Sequence, residues 1–179
     1  MTIESHRRRP VQQAHERAHI TAFLDWFNAR YRSNYCITKE PNPPDALLRS
    51  NRKRRWIELS TAYWRPEYAR DLASLATPGE MHKPIKKGPF RDMDAEFSEN
   101  FADAVKKKLE KSSYIPWREK YGPGFLLIAV EHPWFDSYTL GMMRSALAAK
   151  TINDQQCFRS IYTPMPPQEG AKFCRWSIK

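Results

Sequence analysis

Pro44-Asp45 and, thirteen residues on, Glu58-Leu59-Ser60 set two carboxylates in two apolar, strand-like stretches separated by a short polar one. Paired carboxylates are the minimal equipment for holding a divalent cation against a phosphodiester, because hard cations take oxygen ligands and polarise phosphoryl oxygens. The segments Asp45-Ala46-Leu47-Leu48-Arg49 and Arg55-Trp56-Ile57-Glu58-Leu59-Ser60 read as the arms of a hairpin with Ser50-Asn51-Arg52-Lys53-Arg54 at its tip. A two-residue loop centred on Asn51-Arg52 sets Asp45 opposite Glu58, with Cβ atoms roughly 4.5–5.5 Å apart on one face. Charges so placed repel, and one carboxylate takes up a proton unless a cation compensates. The same register sets Arg49 against Arg54. A loop of odd length sends the two carboxylates to opposite faces, leaving a Pro-Asp turn and a solvent-facing glutamate.

The elements that must hold these residues follow from periodicity. From about Val11 to Arg32, Ile20, Phe23, Leu24, Phe27 and Tyr31 recur at three- and four-residue intervals, the mark of an amphipathic helix. Glu16, one turn before Ile20, extends that stripe and needs a cation, a basic partner or exposure. Tyr35–Thr38 reads as a short strand, ended by a proline-rich stretch that cannot continue a ladder. Residues 63–93 form a long insertion with a short helix over Glu67–Ala76. A second long helix is expected from Asp94 to Tyr114 on an apolar face of Phe97, Phe101, Ala104, Val105 and Leu109. The unbroken apolar run Phe125–Glu131 suits a central strand covered on both faces. A third helix capped by Asp136 or Ser137 runs to Lys150, and Phe158–Thr163 and Lys172–Ile178 are the last strands.

The chain has 179 residues, 41% of them hydrophobic, which fits one domain with a packed interior. Within it, 1–10 reads as a basic arm, 11–163 as the core and 164–179 as a strand extension. No apolar run is long enough to cross a bilayer and no signal peptide is visible, so no membrane partner and a cytoplasmic location are expected. Three widely spaced cysteines, Cys36, Cys157 and Cys174, suit neither a disulfide framework nor a zinc knuckle. A formal charge of +10 favours polyanionic partners, nucleic acid foremost. His15 and His19 share a helix face and His132 lies far along the chain, with no third ligand evident for a metal set. The absence of a glycine-rich phosphate loop argues against ATP-driven chemistry.

With helix, three strands, helix and strand in that order, and with Pro44-Asp45 and Glu58-Leu59-Ser60 on adjacent strands, the chain resembles the PD-(D/E)XK nuclease superfamily over roughly Glu16 to Thr163. The resemblance implies an α/β fold with a restriction-endonuclease-like αβββαβ core, a mixed central sheet flanked by helices, and a metal-dependent endonuclease site. By similarity Asp45, Glu58 and the backbone carbonyl of Leu59 hold Mg²⁺ or Mn²⁺, and Glu16 matches a first-helix glutamate of many members. Ser60 stands where the family usually has its catalytic lysine. Some members bring that lysine from the following helix, and Lys108 and Lys111, with Tyr114 a turn further, are placed to do so here.

The chemistry implied is phosphodiester hydrolysis, of DNA in preference to RNA. The cation lowers the pKa of the attacking water, and a lysine offsets charge on the phosphorane-like transition state, a task beyond Ser60. Arg7, Arg8, Arg9, Arg49, Arg52, Lys53, Arg54, Arg55, Lys86 and Lys87 are the candidate backbone contacts. Trp56, Tyr63 and Trp64 are candidates for base stacking or for the core. The alternatives are a non-catalytic nucleic-acid-binding module that kept the fold, and an assembly protein whose basic surface meets an acidic protein. A homodimer and a protein partner are compatible with all three readings.

Overall fold

Residue alternation along one long strand organises the molecule, because Trp56, Glu58, Ser60 and Ala62 face one layer and Ile57 and Leu59 the other. The structure, a computed structural model, describes residues 3–51, 53–86, 91–170 and 172–176, the side chains of 3–8 and of Pro167 excepted. Its helices are α1 (Ile3–Tyr31), α2 (Pro66–Ala76), α3 (Met93–Leu109), α4 (Ile115–Tyr121) and α5 (Ser137–Ala149). Its strands are β1 (Cys36–Lys39), β2 (Ala46–Ser50), β3 (Lys53–Tyr63), β4 (Gly124–Glu131), β5 (Phe158–Pro164) and β6 (Phe173–Trp176). The strands form one open, mixed sheet in the order β1-β2-β3-β4-β5-β6, so the fold is α/β. β3, β4 and β5 are parallel, and the remaining neighbours antiparallel.

The sheet is covered on both sides. On one face α1 lays Ile20, Phe23, Leu24 and Phe27 against Ile57, Leu59, Phe125 and Leu127. On the other, Phe97, Phe101, Val105 and Leu109 of α3 and Leu140 and Met143 of α5 pack on Trp56, Leu126, Ile128 and Ile161. β4, buried from Gly124 through Ala129, is the central strand that its apolar run predicts. Gly124 is required there: a Cβ on it would lie 2.5 Å from the Trp56 indole carbons Cδ2 and Cε2. Trp56 and Trp64 are core residues at 0% and 2% exposure, which removes both from any role in stacking on bases. None of the three cysteines is disulfide-bonded, and no helix among the described residues is long and apolar enough to cross a membrane.

Two boundaries depart from expectation. α1 begins at Ile3, eight residues before Val11, so the segment expected to be a separate basic arm is helical from Ile3 onwards. Arginines are good helix formers, and the helix continues through Pro10 at the loss of one donor. The helix expected to reach Tyr114 stops at Leu109, the last residue of its buried stripe. Lys111 is extended, a 3₁₀ turn follows at Ser112–Tyr114, and Pro116 in the first turn of α4 starts a new helix. That break turns Tyr114 inward to full burial.

Candidate active site

The β2–β3 hairpin adopts the even register. Ser50 pairs with Lys53, Arg49 with Arg54 and Ala46 with Ile57, which continues to Asp45 opposite Glu58. Asn51 carries the positive φ, +50°, of a tight hairpin connection. Asp45 sits one residue before β2 and closes the ladder with its side chain, Oδ2 accepting the Leu59 N–H at 2.7 Å.

Glu58 is 5% exposed, and two donors converge on it. Its Oε1 accepts from Lys108 Nζ at 2.6 Å and from the Tyr114 hydroxyl at 2.6 Å, and Lys108 Nζ lies 3.3 Å from that hydroxyl. Its Oε2 is buried without a hydrogen-bond partner. An orphaned carboxylate oxygen in a low-dielectric site is expensive unless a ligand completes it. Burial first, and then the negative charge of Glu58, push the Asp45 carboxyl up to about 7. The Leu59 N–H opposes that rise, the Glu16 charge adds to it, and Lys108 opposes it. Burial and the bond to Glu58 hold the Tyr114 phenol far above its ordinary value, so it stays a donor.

A cavity of about 430 Å³ opens over these groups, and Glu16, Asp45, Glu58, Leu59, Ser60, Lys108 and Lys111 all line it. All the residues read from the sequence as metal-binding or catalytic therefore share one cavity. Glu16 is half-buried there and accepts from Gln12 Nε2 at 2.8 Å. Lys111 turns its ammonium over the Tyr114 ring, 5.2 Å from the centroid, whereas Lys108 reaches the carboxylate. Tyr63, the one strand aromatic of the three left accessible, also lines the cavity.

Among the described residues, none of the candidate backbone contacts lines this cavity. Arg9, Arg49, Lys53, Arg54 and Lys86 are exposed. Arg55 is half-buried and donates through Nη1 to the Arg54 and Tyr121 carbonyls. Arg52 and Lys87, and the side chains of Arg7 and Arg8, lie outside the described residues. Lys53 and Arg55 border a second cavity of about 690 Å³, at the hairpin-tip end of the sheet, which Arg32, Arg159 and Arg175 complete. The sequence reading did not single out these last three arginines, because they come from three separate elements.

Two further groups were missed. Tyr114 becomes a Glu58 partner only because the chain leaves the helix after Leu109. The expectation that His15 and His19 lack a third ligand is corrected by Glu131, at the end of β4, whose Oε1 lies 3.4 Å from His15 Nε2 and 4.0 Å from His19 Nε2. The signal was present in the spacing, since His15-Glu16-Arg17-Ala18-His19 is the His-Glu-x-x-His pattern that puts two imidazoles on one helix face. His132, by contrast, is a core histidine packed 4.9 Å from the Phe97 ring.

The chain matches no protein-family model, and neither curated proteins nor solved structures include a significant match to it.

Proposed function

We propose that the protein is a metal-dependent nuclease that hydrolyses phosphodiester bonds, in DNA ahead of RNA, on a restriction-endonuclease-like core. The observation that carries the reading is the convergence of Asp45, Glu58 and Lys108 in one cavity, with Glu58 Oε2 buried and unpartnered. The strand and helix order from α1 to β4 also supports the family resemblance.

The donor set fits a hard divalent cation of the Mg²⁺ or Mn²⁺ kind: two carboxylates, one with an orphaned oxygen and the other with a proton it gives up near neutrality. Asp45 and Glu58 would hold such an ion, which would supply Lewis acidity toward a phosphoryl oxygen and a water of lowered pKa. The residues do the positioning. Tyr114 and Lys108 hold Glu58 Oε1 and leave Oε2 for the ion. The Leu59 N–H holds Asp45 Oδ2, and among the described residues Oδ1 accepts no hydrogen bond. Lys108 carries the positive charge that the phosphoryl oxygens require as negative charge builds on them, the task for which Ser60 is unsuited. Exposed Arg49, Lys53 and Arg54 at the hairpin tip attract the polyanion without reading its bases.

A cleavage screen over single- and double-stranded DNA and RNA with Mg²⁺, Mn²⁺ or EDTA tests the proposal. Cutting that needs the ion and stops with EDTA is expected. Salt-dependent binding with no cutting of any polymer would instead favour a binding module that kept the fold.

A further inference from the structure

We infer that His15, His19 and Glu131 form a second metal site, of the Zn²⁺ class, separate in chemistry from the carboxylate pair. Their ligand atoms form a triangle: His15 Nε2 to His19 Nε2 3.1 Å, His15 Nε2 to Glu131 Oε1 3.4 Å, and His19 Nε2 to Glu131 Oε1 4.0 Å. Metal–ligand bonds of about 2.0–2.2 Å in a tetrahedron put ligand atoms roughly 3.3–3.6 Å apart. Two sides of the triangle lie within about 0.2 Å of that range, and a shift of about 0.4 Å closes the third, between His19 and Glu131.

Two separately anchored elements build it. The imidazoles stand four residues apart on α1, one above the other, and the next turns of the helix are pinned by buried Ile20 and Phe23. Glu131 is fixed at the end of β4 by its pairing with Tyr63 and by its carbonyl, which accepts the Trp64 N–H at 3.2 Å. Two imidazoles and one carboxylate prefer Zn²⁺, Co²⁺, Ni²⁺ or Cu²⁺ to Mg²⁺, whereas the all-oxygen Asp45–Glu58 pair has the opposite preference. Three protein ligands leave a fourth position open, the arrangement of catalytic rather than structural zinc. Glu16 follows His15 directly, where His-Glu-x-x-His sites carry their general base, and both residues line the cavity that holds Asp45 and Glu58. An ion held here ties the amino-terminal half of α1 to the sheet and fixes Glu16 at the cavity wall.

The test is Zn²⁺ binding to tag-free protein, by competition with a chromophoric chelator, together with the visible spectrum of the Co²⁺-loaded form. One equivalent is expected in the wild type, with the intense absorption of low-coordinate Co²⁺. Asp45→Asn/Glu58→Gln and Glu16→Gln are expected to keep it, so the site stands or falls independently of the nuclease proposal. His15→Ala, His19→Ala and the near-isosteric Glu131→Gln should each weaken it by more than about 100-fold, beyond the roughly 10–100-fold that losing an outer partner costs. The side chains of His15 and His19 are 42% and 29% exposed, and circular dichroism checks that each variant folds. No stoichiometric binding in the wild type, binding that survives in folded His15→Ala or Glu131→Gln, or binding abolished by Asp45→Asn/Glu58→Gln or by Glu16→Gln overturns the assignment.

Discussion

Replacing Asp45 by asparagine should make the metal-free protein more stable at pH 8 and leave it unchanged at pH 4. Burial and the Glu58 charge raise the Asp45 carboxyl from 3.8 to about 7. Between those values the folded protein holds a proton that the unfolded chain has released. The contribution of Asp45 to folding is therefore most favourable below 3.8 and is lost as pH rises to about 7. At about 1.36 kcal/mol per pKa unit the loss has a ceiling near 4 kcal/mol, and partial solvent access to the carboxyl roughly halves it, to about 2 kcal/mol. Asparagine keeps an acceptor for the Leu59 N–H and removes the charge. For a chain of this size about 2 kcal/mol is roughly 4–8 °C. Thermal unfolding in EDTA, for wild type and Asp45→Asn from pH 4 to 8, gives the comparison. Mg²⁺ should raise the wild-type midpoint above pH 7 and have little effect on the variant. A variant no more stable than wild type at pH 8 would refute the claim that the two carboxylates share an electrostatically strained site.

Lys108→Ala, which removes the ammonium from Glu58, should lower the cleavage rate about 10²–10³-fold, and adding Ser60→Lys on the same face of β3 should recover at least about tenfold; single-turnover assays of the two variants check this. Gly124→Ala drives a methyl into the Trp56 ring and should cost about 1–3 kcal/mol, seen as a lower unfolding midpoint with the spectrum of the folded state retained. Exchanging Arg49, Lys53 and Arg54 for glutamine should flatten the plot of log affinity for duplex DNA against log salt by roughly 0.9 for each phosphate that is no longer neutralised, whereas an unchanged slope would place the nucleic acid elsewhere.

The hairpin and its carboxylate pair were legible because period-two alternation and a short polar tip leave only parity to decide, and the tip settles on two residues. The three sheet-covering helices were legible from stripes such as Phe97, Phe101, Val105 and Leu109. Lys108 was within reach of prediction because it lies one turn beyond Ala104 on that stripe. Tyr114 was not. Its role depends on a helix ending at Leu109, and the lysine-rich sequence around that point shows no strong stop signal. Glu131 stayed hidden for a different reason: it follows His19 by more than a hundred residues, and only the β3–β4 pairing brings it to α1. The burial of Trp56 follows from which face of β3 meets α3 and from the close approach of Gly124, neither of which composition reveals, and Trp64 joins the same core one residue past the strand.

The central claim is that Asp45 and Glu58 act together on a phosphodiester. Its most direct test is the rate at which end-labelled duplex DNA is cut in Mg²⁺ by wild type, Asp45→Asn and Glu58→Gln, with each protein shown to be folded. Wild type should cut, and each substitution should slow it by about 10³-fold or more. Wild-type rates in both variants would contradict the account.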